Sequence, residues 1–243
     1  MKIGFFITAR LKSSRLRQKV LLPISGKSIL DHIIERCKAT HGIDQVVLCT
    51  STNPQDSILY DYALKHKIYF YPGSEEDVLH RLCSAAEYFG FDAFVSITAD
   101  NPLLSIYTSQ LLVDWYKQEA KDFIFTKGLP IGMNTHLLDV KALKVALHIK
   151  AQADTEIWGP FVNRPDFFNV GELLVKDLPE DYEHKRLTVD YIEDYKLIRE
   201  IYKRCKATLP QDEDIFSLLR TYPDLWAINS PHIQLSNVDE KRI

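Results

Sequence analysis

Residues 3–23 read IGFFITARLKSSRLRQKVLLP. Ile3 to Ile7 is an unbroken apolar run, the pattern of a strand covered on both faces of a sheet. The loop from Thr8 to Pro23 is its opposite: Arg10, Lys12, Arg15, Arg17 and Lys19 put five cations within ten residues, with Ser13 and Ser14 between them. Through residue 30 the chain holds seven Lys and Arg and no acid, yet its net charge is −3, so the remainder is acidic. A basic loop leaving the first strand of such a chain suits a polyphosphate held where the strand ends. Phosphate oxygens accept charge-assisted bonds from guanidinium, ammonium and backbone N–H groups. The loop lacks the GxxxxGK[ST] spacing of a P-loop. The plain alternative is a solvated basic surface loop.

The pattern beyond the loop sets the fold class. Ser28 is placed to cap a helix over 29–39, whose apolar positions Ile29, Ile33, Ile34 and Cys37 share one face. Strands are predicted at 45–50, 68–71 and 93–98, alternating with helices over 54–65, 78–89 and 106–118. Strand and helix in this rhythm, with short connections, indicate a doubly wound α/β protein with a mostly parallel central sheet flanked by helices. Past residue 120 the rhythm loosens. Strands are expected at 123–126, 131–138, 169–175 and 187–189, and helices at 140–150, 154–161, 192–206 and 214–222; Gly26-Lys27-Ser28 reads as a turn. Nothing resembling a linker divides the chain. Residues 1–243 are expected to form one domain, with 120–185 building an acceptor and dimerisation region.

Composition excludes several classes. The 46% hydrophobic and 26% charged content is that of an ordinary globular protein. The near-neutral balance argues against a nucleic-acid partner held by bulk charge. No apolar run approaches the length of a membrane span, and the N-terminus lacks the pattern of a signal peptide, so the expectation is a cytoplasmic protein without a membrane partner. Cys37, Cys49, Cys83 and Cys205 form no CxxC pair and read as structural thiols.

Two further positions carry chemistry. Asp100, beside Thr98 and Asn101-Pro102, follows an apolar strand, and ligands of open parallel sheets sit beyond the carboxyl ends of the strands. Mg²⁺ typically takes one or two carboxylates together with phosphate oxygens and water. Asp190 ends Arg186-Leu187-Thr188-Val189-Asp190 in the same manner. If the two segments are adjacent, both carboxylates can share one ion. Taken singly, Asp100 reads equally as a helix cap, and Asp190 reads more readily as a cap than as a ligand. With the basic loop, the two describe a magnesium–nucleotide site.

These residues resemble a known family. Ala9, Arg10, Ser13, Ser14, Arg15, Leu16 and Lys19 fall on the pattern A-R-x-x-S-[ST]-R-L-x-x-K of the bacterial cytidylyltransferases that activate acidic sugars for surface polysaccharides. GSEEDVLHR at 73–81, ITADNPL at 97–103 and RLTVD at 186–190 match three further blocks in order. The similarity is greatest to the spore-coat-polysaccharide and acylneuraminate cytidylyltransferase-like branch, and more distant to the 3-deoxy-manno-octulosonate cytidylyltransferases. The resemblance implies a Rossmann-like nucleotide-diphospho-sugar transferase fold and Mg²⁺-dependent transfer of CMP from CTP to an anionic sugar-like acceptor. It further implies that Arg10, Arg15 and Lys19 bind the triphosphate and, with Asp100, carry the catalysis. Asp100 and Asp190 would ligate Mg²⁺, Thr50, Ser51, Asp77 and Arg81 would lie near the cytidine, and the protein would pair as a homodimer. Lys12 and Arg17 fall on variable positions. An enzyme of the same fold using another nucleotide, and a non-catalytic nucleotide-binding homologue, are the alternatives.

The chain departs from the family where the acceptor should bind. The common G-[LM]-D-x-E appears as Gly132-Met133-Asn134-Thr135-His136, and E-H-V-T as Glu156-Ile157-Trp158-Gly159. Asn134, His136 and Glu156 are therefore the candidate acceptor contacts. Loss of two acids there would ease the approach of a more anionic acceptor, although His136 is equally readable as a structural histidine. Tyr191-Ile192 replaces the common Thr-Pro.

Overall fold

The computed structural model describes residues 1–13, 15–151, 154–155 and 157–232. Strand β1 (Ile3–Thr8) leads through a 3₁₀ turn at Lys19–Leu21 to a hairpin of β2 (Pro23–Ile24) and β3 (Lys27–Ser28), then into α1 (Ile29–Ala39). There follow β4 (Gln45–Ser51), a 3₁₀ turn at Pro54–Ile58, α2 (Leu59–His66), β5 (Tyr69–Gly73), α3 (Val78–Phe89), β6 (Ala93–Thr98) and α4 (Ile106–Gln118). The next elements are β7 (Phe123–Lys127), β8 (His136–Asp139), α5 (Val140–Ile149), α6 (Gly159–Val162) and β9 (Val170–Leu174). Helices α7 (Ile192–Cys205) and α8 (Asp212–Thr221) close the fold.

The seven-stranded sheet has the order β5-β4-β1-β6-β8-β7-β9. All pairings are parallel except those of β8, which runs against both β6 and β7. Alternation along β1 divides the core. Ile3, Phe5 and Ile7 pack on the face covered by α1, α4 and α7, and Phe6 on the face covered by α3 and α5. Phe6 stacks on Phe94 of β6 at 4.3 Å and meets Phe91 edge-on at 5.4 Å. This aromatic clamp fixes β1 against β6, whose ends carry the site.

Local signals explain the elements around that clamp. Ser28 accepts from the Asp31 N–H while the Asp31 carboxylate accepts from the Ser28 N–H, a reciprocal cap that starts α1. Arg36 of the same helix is fully buried and donates to the carbonyls of Leu104 and Pro210 at 2.8 and 2.5 Å, tying the loop after β6 to the start of α8. Cys37, Cys49 and Cys83 are buried and Cys205 partly so, all as free thiols. No helix among the described residues is long and apolar enough to cross a membrane.

The structure corrects four local expectations. Residues 187–189 form no strand; only Arg186 makes an isolated bridge, to Ile131. The strand expected over 131–138 is confined to its end, at β8. Within 154–161 the described helical residues are those of α6, which runs on to Val162, and Glu156 lies outside the described residues. Lys27 and Ser28, read as part of a turn, are strand β3, and the turn is at Ser25-Gly26.

Candidate active site

Thr8 of β1 stands opposite Thr98 of β6, so the chain leaves both strands side by side. Pairing continues one residue further, with Ala99 N–H donating to the Thr8 carbonyl at 2.9 Å and Ala9 N–H to the Cys49 carbonyl at 3.0 Å. Arg10 and Asp100 therefore start from adjacent, fixed backbone. Here the strand order also reverses, β4 and β5 lying to one side of β1 and β6 to the other. That crevice is where open α/β sheets bind ligands.

A third segment reaches the same place without being a strand. The Val189 N–H donates to the Asp100 carbonyl at 2.8 Å, and the Leu187 N–H to the Ile131 carbonyl at 2.7 Å. Gly132 makes this approach possible. Its φ is +100°, and a Cβ there would lie 2.5 Å from the Thr188 nitrogen. Residues 186–190 are thus held between two loops, and Asp190 is delivered beside Asp100.

The two carboxylates are oriented alike. Asp100 Oδ1 accepts from the Thr98 hydroxyl at 2.6 Å, and Asp190 Oδ2 from Arg186 at 3.1 Å. Their other oxygens, Asp100 Oδ2 and Asp190 Oδ1, converge on the Lys19 ammonium at 2.7 and 2.9 Å. Arg15 also donates to Asp190 Oδ1 at 3.1 Å, and its guanidinium lies 5.3 Å from the Tyr191 ring centroid. Burial opposes the Lys19 charge, but Asp100 and Asp190 outweigh it and hold the ammonium pKa above its ordinary value. Burial likewise opposes ionisation of Asp190, and Lys19, Arg186 and Arg15 overcome it, leaving this carboxyl below its usual range. Beneath them, buried Asp194 accepts from Arg186 at 3.1 Å and from the N–H groups of Asp190 and Tyr191 at 3.0 Å each. It therefore fixes the Asp190 backbone at the start of α7.

The basic loop is anchored at its other end. Arg10 donates to the Glu75 carbonyl at 2.9 Å and Lys12 to the Glu75 carboxylate at 3.1 Å. The Leu11 N–H donates to buried Asp56 at 2.8 Å, and Asp56 in turn accepts from Ser51 at 2.5 Å. The resulting cleft has a volume of about 280 Å³, lined by Ala9, Arg10, Ser13, Arg15, Lys19, Thr98, Asp100 and Asp190, with Val78 and Trp158 on the apolar side. This is slightly below the ~300 Å³ lower end of typical ligand pockets, so a nucleotide would extend past its rim.

The remaining described candidates are not among the residues that line this cleft. Ser51 supports the loop through Asp56, and Thr50 is buried with an unpaired hydroxyl. Asp77 caps α3 through the His80 N–H and binds Lys150 and Thr155, while Arg81 is fully buried and donates to the Ser74 carbonyl. Asn134 donates to the carbonyls of Leu129 and Pro130 and accepts from Thr126. His136 lies between Phe123 and the edge of Trp158, with Nδ1 enclosed and unpartnered, and burial pushes its pKa down to about 4. Ser14 and Glu156 lie outside the described residues. Motif and spacing arguments miss the roles of Arg186, Asp194 and Trp158. The first two stand four residues either side of Asp190, a spacing that is visible in the sequence.

The donor set suits a divalent ion. The described residues contain no cluster of three or more His, Cys, Asp and Glu able to cage a metal. Magnesium does not need one, because it retains water and takes ligands from substrate phosphates. Two inward carboxylate oxygens whose partner oxygens are held by Thr98 and Arg186 supply the protein's share.

The cytidylyltransferase family model matches residues 5–215. The chain belongs to the cytidylyltransferase family, and is a nucleotidyltransferase. It is 27% identical to the spore coat polysaccharide biosynthesis protein SpsF of Bacillus subtilis, over 91% of this chain and 95% of that one. It is 23% identical to the 8-amino-3,8-dideoxy-manno-octulosonate cytidylyltransferase of Shewanella frigidimarina, over 64% of this chain and 62% of that one. Among solved structures, a cytidylyltransferase from Leptospira borgpetersenii superposes with a TM-score of 0.85 at 25% identity, covering 93% of this chain and 96% of that one.

Proposed function

We propose that the protein transfers CMP from CTP to an acidic or phosphorylated sugar or polyol, releasing pyrophosphate, with Mg²⁺ as cofactor, in the synthesis of a surface polysaccharide. The observation that carries this reading is the convergence of Asp100 and Asp190 directly against Arg15 and Lys19 at the ends of β1 and β6. The names of the polysaccharide-biosynthesis and octulosonate-cytidylyltransferase relatives support the acceptor class.

Asp100 and Asp190 would hold the metal, which when bound shields phosphate charge and polarises the phosphorus under attack. Arg10, Arg15 and Lys19 receive the triphosphate and stabilise the pyrophosphate as it gains charge on leaving. Arg186 and Asp194 keep the Asp190 carboxylate aimed while the loop cations change partners. Displacement at the α-phosphorus rests on alignment and charge neutralisation, so no protein nucleophile is required. An acceptor that attacks through an ionised phosphate oxygen needs no separate base, whereas one that attacks through a hydroxyl gives up its proton to solvent or to the released pyrophosphate. Val78 and Trp158 give the cleft an apolar part of its lining, and His136 contributes by packing against Trp158. Asn134 acts only by shaping the 126–136 loop.

The test is a screen of pyrophosphate release with Mg²⁺, pairing CTP, UTP, GTP and ATP with neutral, carboxylated and phosphorylated sugars and polyols. Release is expected with CTP and an anionic acceptor. Equal rates with neutral sugars would remove the acceptor class, and preference for another nucleotide would remove CTP.

A further inference from the structure

Two cations of the basic loop, Lys19 and Arg15, are already paired with the carboxylates of the site. Lys19 lies between the inward oxygens of Asp100 and Asp190 at 2.7 and 2.9 Å, and its side chain is only 14% exposed. Arg15 donates to the same oxygen of Asp190 at 3.1 Å. The outward oxygens are held by Thr98 and Arg186, and the Asp100 and Asp190 backbones are joined through the Val189 N–H. The two carboxylates are therefore built to stay together, and like charges held so close require a cation between them. The backbone delivers Lys19 to that point: Gln18 takes up φ 49°, and the 3₁₀ turn begins at Lys19 itself.

We infer that Lys19 is a placeholder cation, occupying the position a divalent ion takes between Asp100 and Asp190 and giving it up when the triphosphate arrives. This rests on the reading of Asp100 and Asp190 as metal acids. Asp100, Asp190 and Asp194 face Lys19, Arg15 and Arg186, a set whose formal charges cancel. A divalent ion entering alone meets two cations already bonded to its ligands and leaves the cluster strongly positive. With a nucleoside triphosphate, Lys19 and Arg15 exchange carboxylate oxygens for phosphate oxygens, and every charge stays paired. Metal and nucleotide should therefore bind as a unit, each poorly without the other, and the same Lys19 that stabilises the phosphates guards the carboxylates until they come.

The test measures Mn²⁺ alone, by the electron paramagnetic resonance signal of the free ion, on the full-length wild type, Lys19→Met and Arg15→Met. Removing a bonded competitor should tighten Mn²⁺ binding in Lys19→Met on the order of tenfold or more relative to wild type. Arg15→Met should gain less, because Lys19 still bridges both acids. Adding Asp190→Asn to Lys19→Met should abolish the gain. Arg15 is half exposed, so its variant provides an ordering that does not depend on how well the Lys19 variant folds. As a second measurement, the thermal midpoint of Lys19→Met should rise with millimolar Mn²⁺ by more than that of wild type. Wild type binding Mn²⁺ alone as tightly as Lys19→Met would overturn the inference while leaving the metal acids in place. Failure of wild type to bind Mn²⁺ even with CTP present would remove the metal acids themselves, and the inference with them.

Discussion

The cleft at the ends of β1 and β6 and the loop from Thr126 to His136 are both dense in polar contacts, but the contacts differ in kind. In the cleft, three cations bond to the carboxylates of other side chains: Lys19 to Asp100 and Asp190, Arg15 to Asp190, Lys12 to Glu75. A phosphate or a metal ion can replace either member of such a pair and leave its partner satisfied. In the 126–136 loop, Thr126, Asn134 and Thr135 bond to one another and to backbone carbonyls. No ligand can take these groups without leaving a buried carbonyl or hydroxyl unpaired, which costs about 1–3 kcal/mol each. Exchangeable pairs mark a site where ligands enter, and closed networks mark a scaffold. By this criterion the cleft is built to exchange partners, and the 126–136 loop is built to stay closed.

The largest expected effect is on the exchangeable side. Asp100→Asn and Asp190→Asn should each reduce pyrophosphate release about a hundredfold or more, on the scale of removing one preorganised charge-stabilising group. Circular dichroism should show the fold retained, because Lys19 keeps one carboxylate partner in either variant. Activity within a few-fold of wild type in both would break the comparison, since the cleft would then be only another scaffold.

The same contrast explains which parts of the molecule are legible in the amino-acid order alone. Helix α3 and strand β6 are legible residue for residue, and α1 with its Ser28 cap, because apolar period and capping chemistry are local properties. Arg10, Arg15, Lys19 and Asp100 are legible as charges at strand ends. The route by which Asp190 reaches Asp100 is not. Residues 187–189 have the composition of a strand, but their partners are Ile131 and Asp100, dozens of residues away. No local window distinguishes an apolar segment pinned between loops from one in a sheet. Arg186 and Asp194 are visible as charges, but their pairing depends on α7 turning back beneath Asp190.

The next effect belongs to the close backbone contact between the two regions. Gly132→Ala places a Cβ against the Thr188 backbone at a φ of +100°. Left-handed strain of ~1–2 kcal/mol adds to that clash, so urea unfolding should show a loss of at least about 2 kcal/mol. Pyrophosphate release should fall as well, because the backbone carrying Asp190 must move. Unchanged stability and rate would show that residues 186–190 are held by something other than this approach.

Asn134→Asp probes the closed network alone. The amide donates to the carbonyls of Leu129 and Pro130, and a carboxylate would face both without a proton to offer. Stability should drop by about 1–3 kcal/mol, while KM for CTP stays within a factor of two or so, since no exchangeable pair is touched. A large change in KM with little loss of stability would move Asn134 from the scaffold to the site.

The smallest effect emerges only on acidification. His136 is held between Phe123 and Trp158 with its pKa pushed down to about 4 by burial, against about 6.5 in an unfolded chain. Between those values the unfolded state binds a proton that the native state refuses, so this residue makes stability fall as pH drops from about 6.5 toward 4 and adds nothing further below that. Above pH 7 it is neutral in both states and contributes no slope. His136→Phe keeps an aromatic ring in an aromatic setting and removes an enclosed nitrogen that has no partner, so stability at pH 7.5 should be nearly unchanged. Its unfolding free energy, measured from pH 7.5 to pH 4, should decline less steeply than that of wild type. Equal slopes would mean that His136 ionises freely in the native state, and the 126–136 loop would then hold an exchangeable charge of the kind that marks the cleft.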